Sequence, residues 1–223
     1  MSRLTRWWWV RHAPVVGVNG VIYGANDVEC DVSDEARFKA LAEALPEDAV
    51  WVTSRLSRAI KTAKAISEAG AATGLDFPEP AIEEDLGEQN FGDWQGLSWD
   101  RMKETDAETY DAFWADPARS RPPGGESFTD LIARTGAVIG RLTERHKGRD
   151  IVAVAHGGTS RAALAVALEL KPEQGMAISF DTLSVSVLEH VEGGLLRGAG
   201  GVWRVVGVNR PGQECVRAPP YPP

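Results

Sequence analysis

The sequence predicts a layered α/β fold. Three short apolar runs, at residues 7–10, 49–53 and 151–155, have the length and composition of buried strands, and each stops at polar or charged residues. Between them the apolar positions recur at helical spacing, and strands alternating with helices build a sheet covered by helices. The 223 residues, 43% of them hydrophobic, suffice to bury one sizeable core.

The first strand is Trp7, Trp8, Trp9 and Val10, and Arg11-His12 follow at its end. Phe38, Leu41, Ala42 and Leu45 mark a helix before the second strand, and Ala59, Ile60, Ala63 and Ile66 mark another after it. Residues 77–126 are richer in Trp, Gly, Pro and acidic residues. They read as a loop-and-helix excursion over one face of the sheet, the kind of segment that forms a substrate cap. Over 127–146, Phe128, Leu131, Ile132, Val138 and Leu142 share one helix face, with Ser127 as N-cap and Lys147-Gly148 as the stop. The strand at 151–155 runs into His156-Gly157-Gly158, and a helix is expected over 160–170. Two late strands, 183–189 and 202–208, complete the sheet. The expected organisation is a single domain over 1–216 with a Pro-rich end at 217–223 that suits neither helix nor strand.

A net charge of −8 argues against a general nucleic-acid binder, which needs a surplus of Lys and Arg for the phosphate backbone. An anionic ligand must therefore meet a local cluster of arginines. Cys30 and Cys215 stand far apart with no CxxC, so neither a disulfide framework nor a zinc site is expected. No apolar stretch approaches a membrane span. These features predict a cytoplasmic protein with no membrane partner, and a late exposed strand leaves monomer and homodimer both open.

Four separated elements carry chemistry. Arg11-His12 puts a nucleophilic nitrogen beside a fixed positive charge at a strand's carboxyl end, which suits attack on a phosphoryl group. In Thr53-Ser54-Arg55-Leu56-Ser57-Arg58 a strand gives way to a helix, and Arg58, about one turn in, can point back over the strand end. Glu88 lies just before the tight Phe91-Gly92-Asp93-Trp94 turn. His156-Gly157-Gly158 follows another strand, with glycines that admit a ligand close to the backbone and a helix start whose N–H groups favour anions. Each alone has a plainer explanation: a structural histidine, a solvated arginine or an acidic surface loop. Their combination is what points to a site.

Together these elements resemble the histidine phosphatase superfamily, with the phosphoglycerate mutase-like fold, over about residues 6–210. Arg11-His12-Ala13 stands where the family has Arg-His-Gly. Ser54-x-Leu56-x-Arg58-Ala59-x-x-Thr62-Ala63 matches its second motif, Glu88 precedes Phe91-Gly92-x-Trp94 by three residues, and His156-Gly157 closes the set. The resemblance implies a three-layer fold with a mostly parallel central sheet. It also implies His12 as a nucleophile forming a phosphohistidine, a phosphate pocket of Arg11, Arg58, His156 and Gly157, Glu88 as general acid and then base, and no metal or other cofactor.

Ala13 and Pro14 depart from the family's usual continuation. The second phosphate grip of the mutases is also missing, because Arg119 and Arg121 match their paired arginines poorly. The implied reaction is hydrolysis of a small-molecule phosphomonoester. Phosphoryl transfer of the mutase type, or ligand binding without turnover, are the other readings. A metallohydrolase would need further carboxylate ligands around His12, His156 and Glu88. Within the superfamily, Gly20-Val21-Ile22-Tyr23-Gly24-Ala25-Asn26-Asp27, Phe91-Gly92-Asp93-Trp94-Gln95-Gly96 and Pro122-Pro123-Gly124-Gly125-Glu126-Ser127 look like the α-ribazole phosphatase branch, which implies α-ribazole phosphate of cobalamin assembly as one candidate substrate. Tyr23 and Gly24 are the substrate contacts that likeness suggests.

Overall fold

The computed structural model describes residues 4–18, 20–195 and 201–215; the Pro-rich end expected at 217–223 lies outside these residues. Its centre is a six-stranded sheet of β1 (Leu4–Arg11), β2 (Val50–Thr53), β3 (Ala81–Ile82), β4 (Asp150–Ala155), β5 (Ser184–Val191) and β6 (Trp203–Pro211). The spatial order is β3-β2-β4-β1-β5-β6. The first four strands run parallel, and β5 runs against both of its neighbours. The helices are α1 (Glu35–Ala44), α2 (Ser57–Ala71), α3 (Trp99–Thr105), α4 (Ala107–Ala115), α5 (Phe128–Arg145), α6 (Gly157–Ala167) and α7 (Pro172–Met176).

Strand alternation sorts the central side chains into two cores. Trp8 and Val10 pack with Phe38 and Leu41 of α1 and Ala59, Ala63 and Ile66 of α2. Trp7 and Trp9 pack on the other face with Val138, Ile139 and Leu142 of α5 and Ala163 and Leu164 of α6. Successive strand residues point to opposite faces, so an unbroken apolar run belongs in the middle of a sheet covered on both sides. Each tryptophan buries roughly 150–250 Å², a contribution of several kcal/mol at about 25 cal/mol per Å². This explains why β1 occupies the interior. Two ring N–H groups also find partners, Trp7 Nε1 donating to Thr143 Oγ1 at 2.9 Å and Trp8 Nε1 to Asp150 Oδ1 at 2.9 Å.

Helix α5 begins one residue after Ser127, whose hydroxyl accepts from Asp130 N while Asp130 accepts from Ser127 N. This reciprocal box stabilises the start by about 1 kcal/mol. The expected 160–170 helix is corrected to α6, Gly157–Ala167. It starts directly at His156, and it ends before Glu169, whose positive φ of 51° breaks the helical path. Two elements have no counterpart in the sequence reading. Strand β3 is two exposed residues without an apolar pattern, and α7 is a five-residue helix opened by a proline. The 77–126 excursion holds β3, two 3-10 turns, α3 and α4; Trp94, Met102 and Phe113 form its own small core.

Candidate active site

Strand register assembles the first half of the site. Arg11 at the end of β1 pairs with Ala155 at the end of β4, and His12 N–H donates to Ala155 O at 2.9 Å. His12 and His156 therefore leave the sheet side by side, their ring centroids 5.1 Å apart. On the other flank Thr53 of β2 pairs with Val154, which sets Ser54 Oγ 2.7 Å from His156 Nε2. The pocket thus lies outside the carboxyl ends of three adjacent parallel strands, the usual ligand position in open α/β sheets.

His12 is fully buried, and its Nδ1 lies 2.6 Å from Ala13 O. A carbonyl only accepts, so Nδ1 carries the hydrogen and the lone pair sits on Nε2. Burial lowers the His12 pKa from 6.5 to about 3, against the raising effect of the Ala13 bond and with smaller lowering contributions from Arg58 and Arg11. The ring is neutral at physiological pH. His156, also fully buried, is held well below its ordinary value, first by burial and then by His12 and both arginines. Ala13 meets no strain in place of glycine: the non-glycine residues with positive φ are Glu169, Leu183 and Asn209 among the described residues. Its N–H donates to Thr62 Oγ1 at 2.8 Å, and that hydroxyl donates to Arg58 O at 2.6 Å.

Arg58 falls in the first turn of α2, nearer the helix start than its sequence position suggested, and is 0% exposed. Its Nη1 and Nη2 donate to Asn26 O and Gly24 O, each at 2.7 Å, and Tyr23 lies under the guanidinium at 5.1 Å. Tyr23 and Gly24 are thus seen bracing Arg58. Gly24 has φ 45°, and a Cβ there would come within 2.6 Å of Gln95 Oε1 and 2.8 Å of Gln89 O. Arg11 Nη1 donates to Phe180 O. At this site, among the described residues, four buried nitrogens are left without partners: Arg11 Nε, His12 Nε2, Arg58 Nε and His156 Nδ1. Unpaired buried polar atoms are costly; three of these belong to residues expected to hold phosphate and the fourth to the expected nucleophile.

Glu88 arrives from the loop after β3. Its Oε2 accepts from Gly158 N at 3.1 Å and its Oε1 from Gln89 N at 2.9 Å. A Cβ on Gly158 would lie 2.2 Å from Glu88 Oε1, and one on Gly157 would lie 3.4 Å from Arg11 Nε. Gly158 therefore lets the carboxylate approach the start of α6, whereas the contact at Gly157 is an ordinary one. Beside Glu88 opens a cleft of about 260 Å³, lined among others by Arg55, Glu84, Asp85, Asn90 and Gly125.

All the expected site residues are near this end of the sheet, but several neighbours escaped the sequence reading. Arg134 of α5 forms an ion pair with Glu126 and donates to backbone carbonyls around Glu88. Arg161, one turn into α6, donates from Nε to Ile178 O at 2.7 Å; burial lowers its pKa, and it feels the charges of Glu88 and Arg11. Its place five residues after His156 on one helix was the available signal. Arg119 and Arg121 are engaged elsewhere, with Asp116 and Glu173 and with Asp130.

No helix among the described residues is long and apolar enough to cross a membrane. The profile of the histidine phosphatase superfamily (branch 1) matches residues 7–197. The chain is 30% identical over 188 residues to a 2,3-bisphosphoglycerate-dependent phosphoglycerate mutase of Gloeobacter violaceus, covering 81% of this chain and 84% of the mutase. It is also 31% identical over 146 residues to a bifunctional protein of Mycobacterium tuberculosis, of which the match spans only 38%, against 66% of this chain. Among solved structures, a mycobacterial glucosyl-3-phosphoglycerate phosphatase superposes with TM-score 0.76 at 27% identity, over 93% of this chain and 100% of the other. The α-ribazole phosphatase of Shigella flexneri superposes with TM-score 0.72 at 25% identity, over 92% of this chain and 96% of the other. With the paired histidines, the buried arginine and this match in agreement, the chain belongs to the histidine phosphatase superfamily, branch 1.

Proposed function

We propose that the protein hydrolyses small phosphomonoesters through a phosphohistidine on His12, without a metal or other cofactor. The observation that carries this reading is the set of four unpartnered buried nitrogens. Arg11 Nε and Arg58 Nε are donors. With the Ser54 hydroxyl donating to His156 Nε2, His156 Nδ1 is a third. His12 Nε2, bearing the lone pair, is the one nucleophile among them. Three donors around one nucleophile match a phosphoryl group, whose oxygens need donors while its phosphorus is attacked. The Gly157 N–H at the start of α6 adds a backbone donor suited to the same anion.

In the first step His12 Nε2 bonds to phosphorus as the P–O bond breaks, and Glu88 gives its proton to the departing alkoxide. In the second, the Glu88 carboxylate takes a proton from water, the water oxygen bonds to phosphorus, and the P–N bond returns its electron pair to Nε2. Arg11 and Arg58 hold the charge that spreads over the phosphoryl oxygens. The leaving group lies in the cleft beside Glu88, where Arg55 is exposed and Arg134 is already engaged.

Hydrolysis is favoured over transfer between two positions because Arg119 and Arg121 are spent in ion pairs. The mutase-type relative keeps phosphoryl transfer as the competing reading. Among substrates, α-ribazole phosphate is the candidate suggested by the Tyr23-Gly24 and Gly124-Gly125-Glu126-Ser127 segments and by the structural likeness to an α-ribazole phosphatase. A cytoplasmic small-molecule enzyme, monomeric or homodimeric, is the setting this reading assumes, and Cys30 and Cys215 are free thiols. The test is a phosphomonoester panel in EDTA, including α-ribazole phosphate and 3-phosphoglycerate, with wild type and His12→Ala. Phosphate release should survive EDTA and vanish in the variant. Relocation of phosphate on 3-phosphoglycerate without release would establish the mutase reading instead.

A further inference from the structure

The segment that carries Glu88 has little regular structure of its own. It leaves the short edge strand β3, passes through a 3-10 turn at Glu84–Leu86 and continues without helix or strand through Asn90. A general acid on such a segment needs external support, because proton transfer requires the carboxyl to sit within hydrogen-bond reach of the leaving oxygen. We infer that the Arg134–Glu126 ion pair is the device that positions Glu88, and that Arg134 and Glu126 act on leaving-group protonation through that carboxyl.

The geometry is specific. Arg134 Nη1 donates to Asp85 O at 2.5 Å, and Nη2 donates to Gly87 O at 2.9 Å and Glu88 O at 3.1 Å. Nε and Nη2 also donate to the two Glu126 oxygens, at 3.0 and 2.8 Å. Glu126 takes hold of the other end of the segment. Its Oε1 accepts from Asn90 N at 2.9 Å, its own N–H donates to Asn90 O at 2.9 Å, and its carbonyl accepts from Gln89 Nε2 at 3.0 Å. One guanidinium therefore caps three carbonyls of the Asp85–Glu88 stretch while its partner pins Gln89 and Asn90. Thr159 of α6 fastens the inner side, its hydroxyl donating to Gly87 O at 2.9 Å. The result fixes the backbone on both sides of Glu88.

Neither member of the pair is a surface decoration. The Arg134 and Glu126 side chains are only 22% and 20% exposed, and both line the cleft next to Glu88. A planar fork is required to reach carbonyls and carboxylate at once, so lysine, a single point donor, cannot replace Arg134. The pair also sits on rigid supports: Glu126 just precedes the N-cap of α5, and Arg134 lies two turns inside it. The stability of α5 is thereby linked to the placement of the acid.

This inference rests on Glu88 being the general acid, and the experiment separates the two claims. The parameter is kcat/KM, which reports only the steps through departure of the leaving group. It is measured on p-nitrophenyl phosphate, whose nitrophenolate leaves without protonation, and on an alkyl phosphate such as glycerol 2-phosphate, whose alkoxide does not. Glu88→Gln should lose far more on the alkyl ester than on the aryl ester. If it loses equally on both, the role of Glu88 itself is wrong.

Given that selectivity, Arg134→Met, Arg134→Lys and Glu126→Gln should repeat it in weaker form. The expectation is about 10- to 100-fold on the alkyl ester and no more than about threefold on the aryl ester. Vanadate affinity, which reads the His12 pocket, should stay near that of wild type. Equal losses on both esters, or full activity on the alkyl ester in Arg134→Met, would overturn the positioning role. Should Arg134→Met fail to fold, Glu126→Gln carries the same test, because it removes the charge while keeping the side chain's shape.

Discussion

In the phosphate pocket the key side chains are aimed by strand register, whereas Glu88 reaches the same place from an irregular loop held by side chains of another element. His12 and His156 follow residues that pair directly across β1 and β4, and Ser54 follows the neighbouring position on β2. Moving either histidine would mean shifting a central strand. Glu88 instead depends on Arg134, Glu126 and the open space above Gly158. The half proposed to bond phosphorus is therefore part of the sheet, and the half proposed to handle protons is held in place by side chains of another element.

The contrast can be attacked from both sides, and the largest effect is expected in the sheet-borne half. His12→Ala should lower kcat/KM by roughly 10⁴-fold or more on aryl and alkyl phosphates alike, since loss of the nucleophile affects every substrate. A loss confined to alkyl esters, measured by steady-state kinetics, would mean that the two halves are not separable as described.

A pair of alanine substitutions should produce a smaller and asymmetric effect. Gly158→Ala places a Cβ 2.2 Å from Glu88 Oε1, an impossible contact that must push the carboxylate away, while Gly157→Ala places one 3.4 Å from Arg11 Nε, an ordinary contact. Gly158→Ala should lose about 10-fold or more on the alkyl ester with much of its aryl activity kept. Gly157→Ala should be the milder of the two on both esters. Reversal of that order in parallel assays would contradict the close approach of Glu88 to α6.

The smallest expected effect is thermodynamic. Between pH 6.5 and about 3, the unfolded chain binds a proton that buried His12 does not, so stability falls as pH falls through that window. The depressed His156 pKa acts in the same direction. Urea denaturation at pH 7 and pH 4.5 should show wild type losing more stability on acidification than His12→Gln. Equal losses would show that His12 is not held neutral by burial.

The same contrast explains what could be read from the chain. The five longer strands, both histidines and Arg58 were legible because their signal is local: an apolar run, a polar stop, and a histidine or arginine at the step between strand and helix. The Trp7 to Val10 run reads as a buried strand, and Ser127 marks the start of α5. The bracing of Glu88 was not legible, because Arg134 meets carbonyls 46 to 49 residues away and no sequence spacing encodes a bond to a backbone oxygen. The start of α6 was missed by three residues for a related reason. Gly157-Gly158 is poor in helix propensity, and a glycine stands at Gly158 because Glu88 occupies the space a Cβ would take. Gly24 illustrates a similar limit: no local pattern signals that its carbonyl holds Arg58.

The central claim is that His12 carries the phosphoryl group between the two steps. Rapid quenching of wild type with a ³²P-labelled phosphomonoester should trap a protein-bound phosphate that is acid-labile, stable to base, and located at His12 by peptide mapping. It should appear as fast as the leaving group is released and be absent from His12→Ala. Continued turnover in His12→Ala, or label found on another residue, would contradict the phosphohistidine mechanism directly.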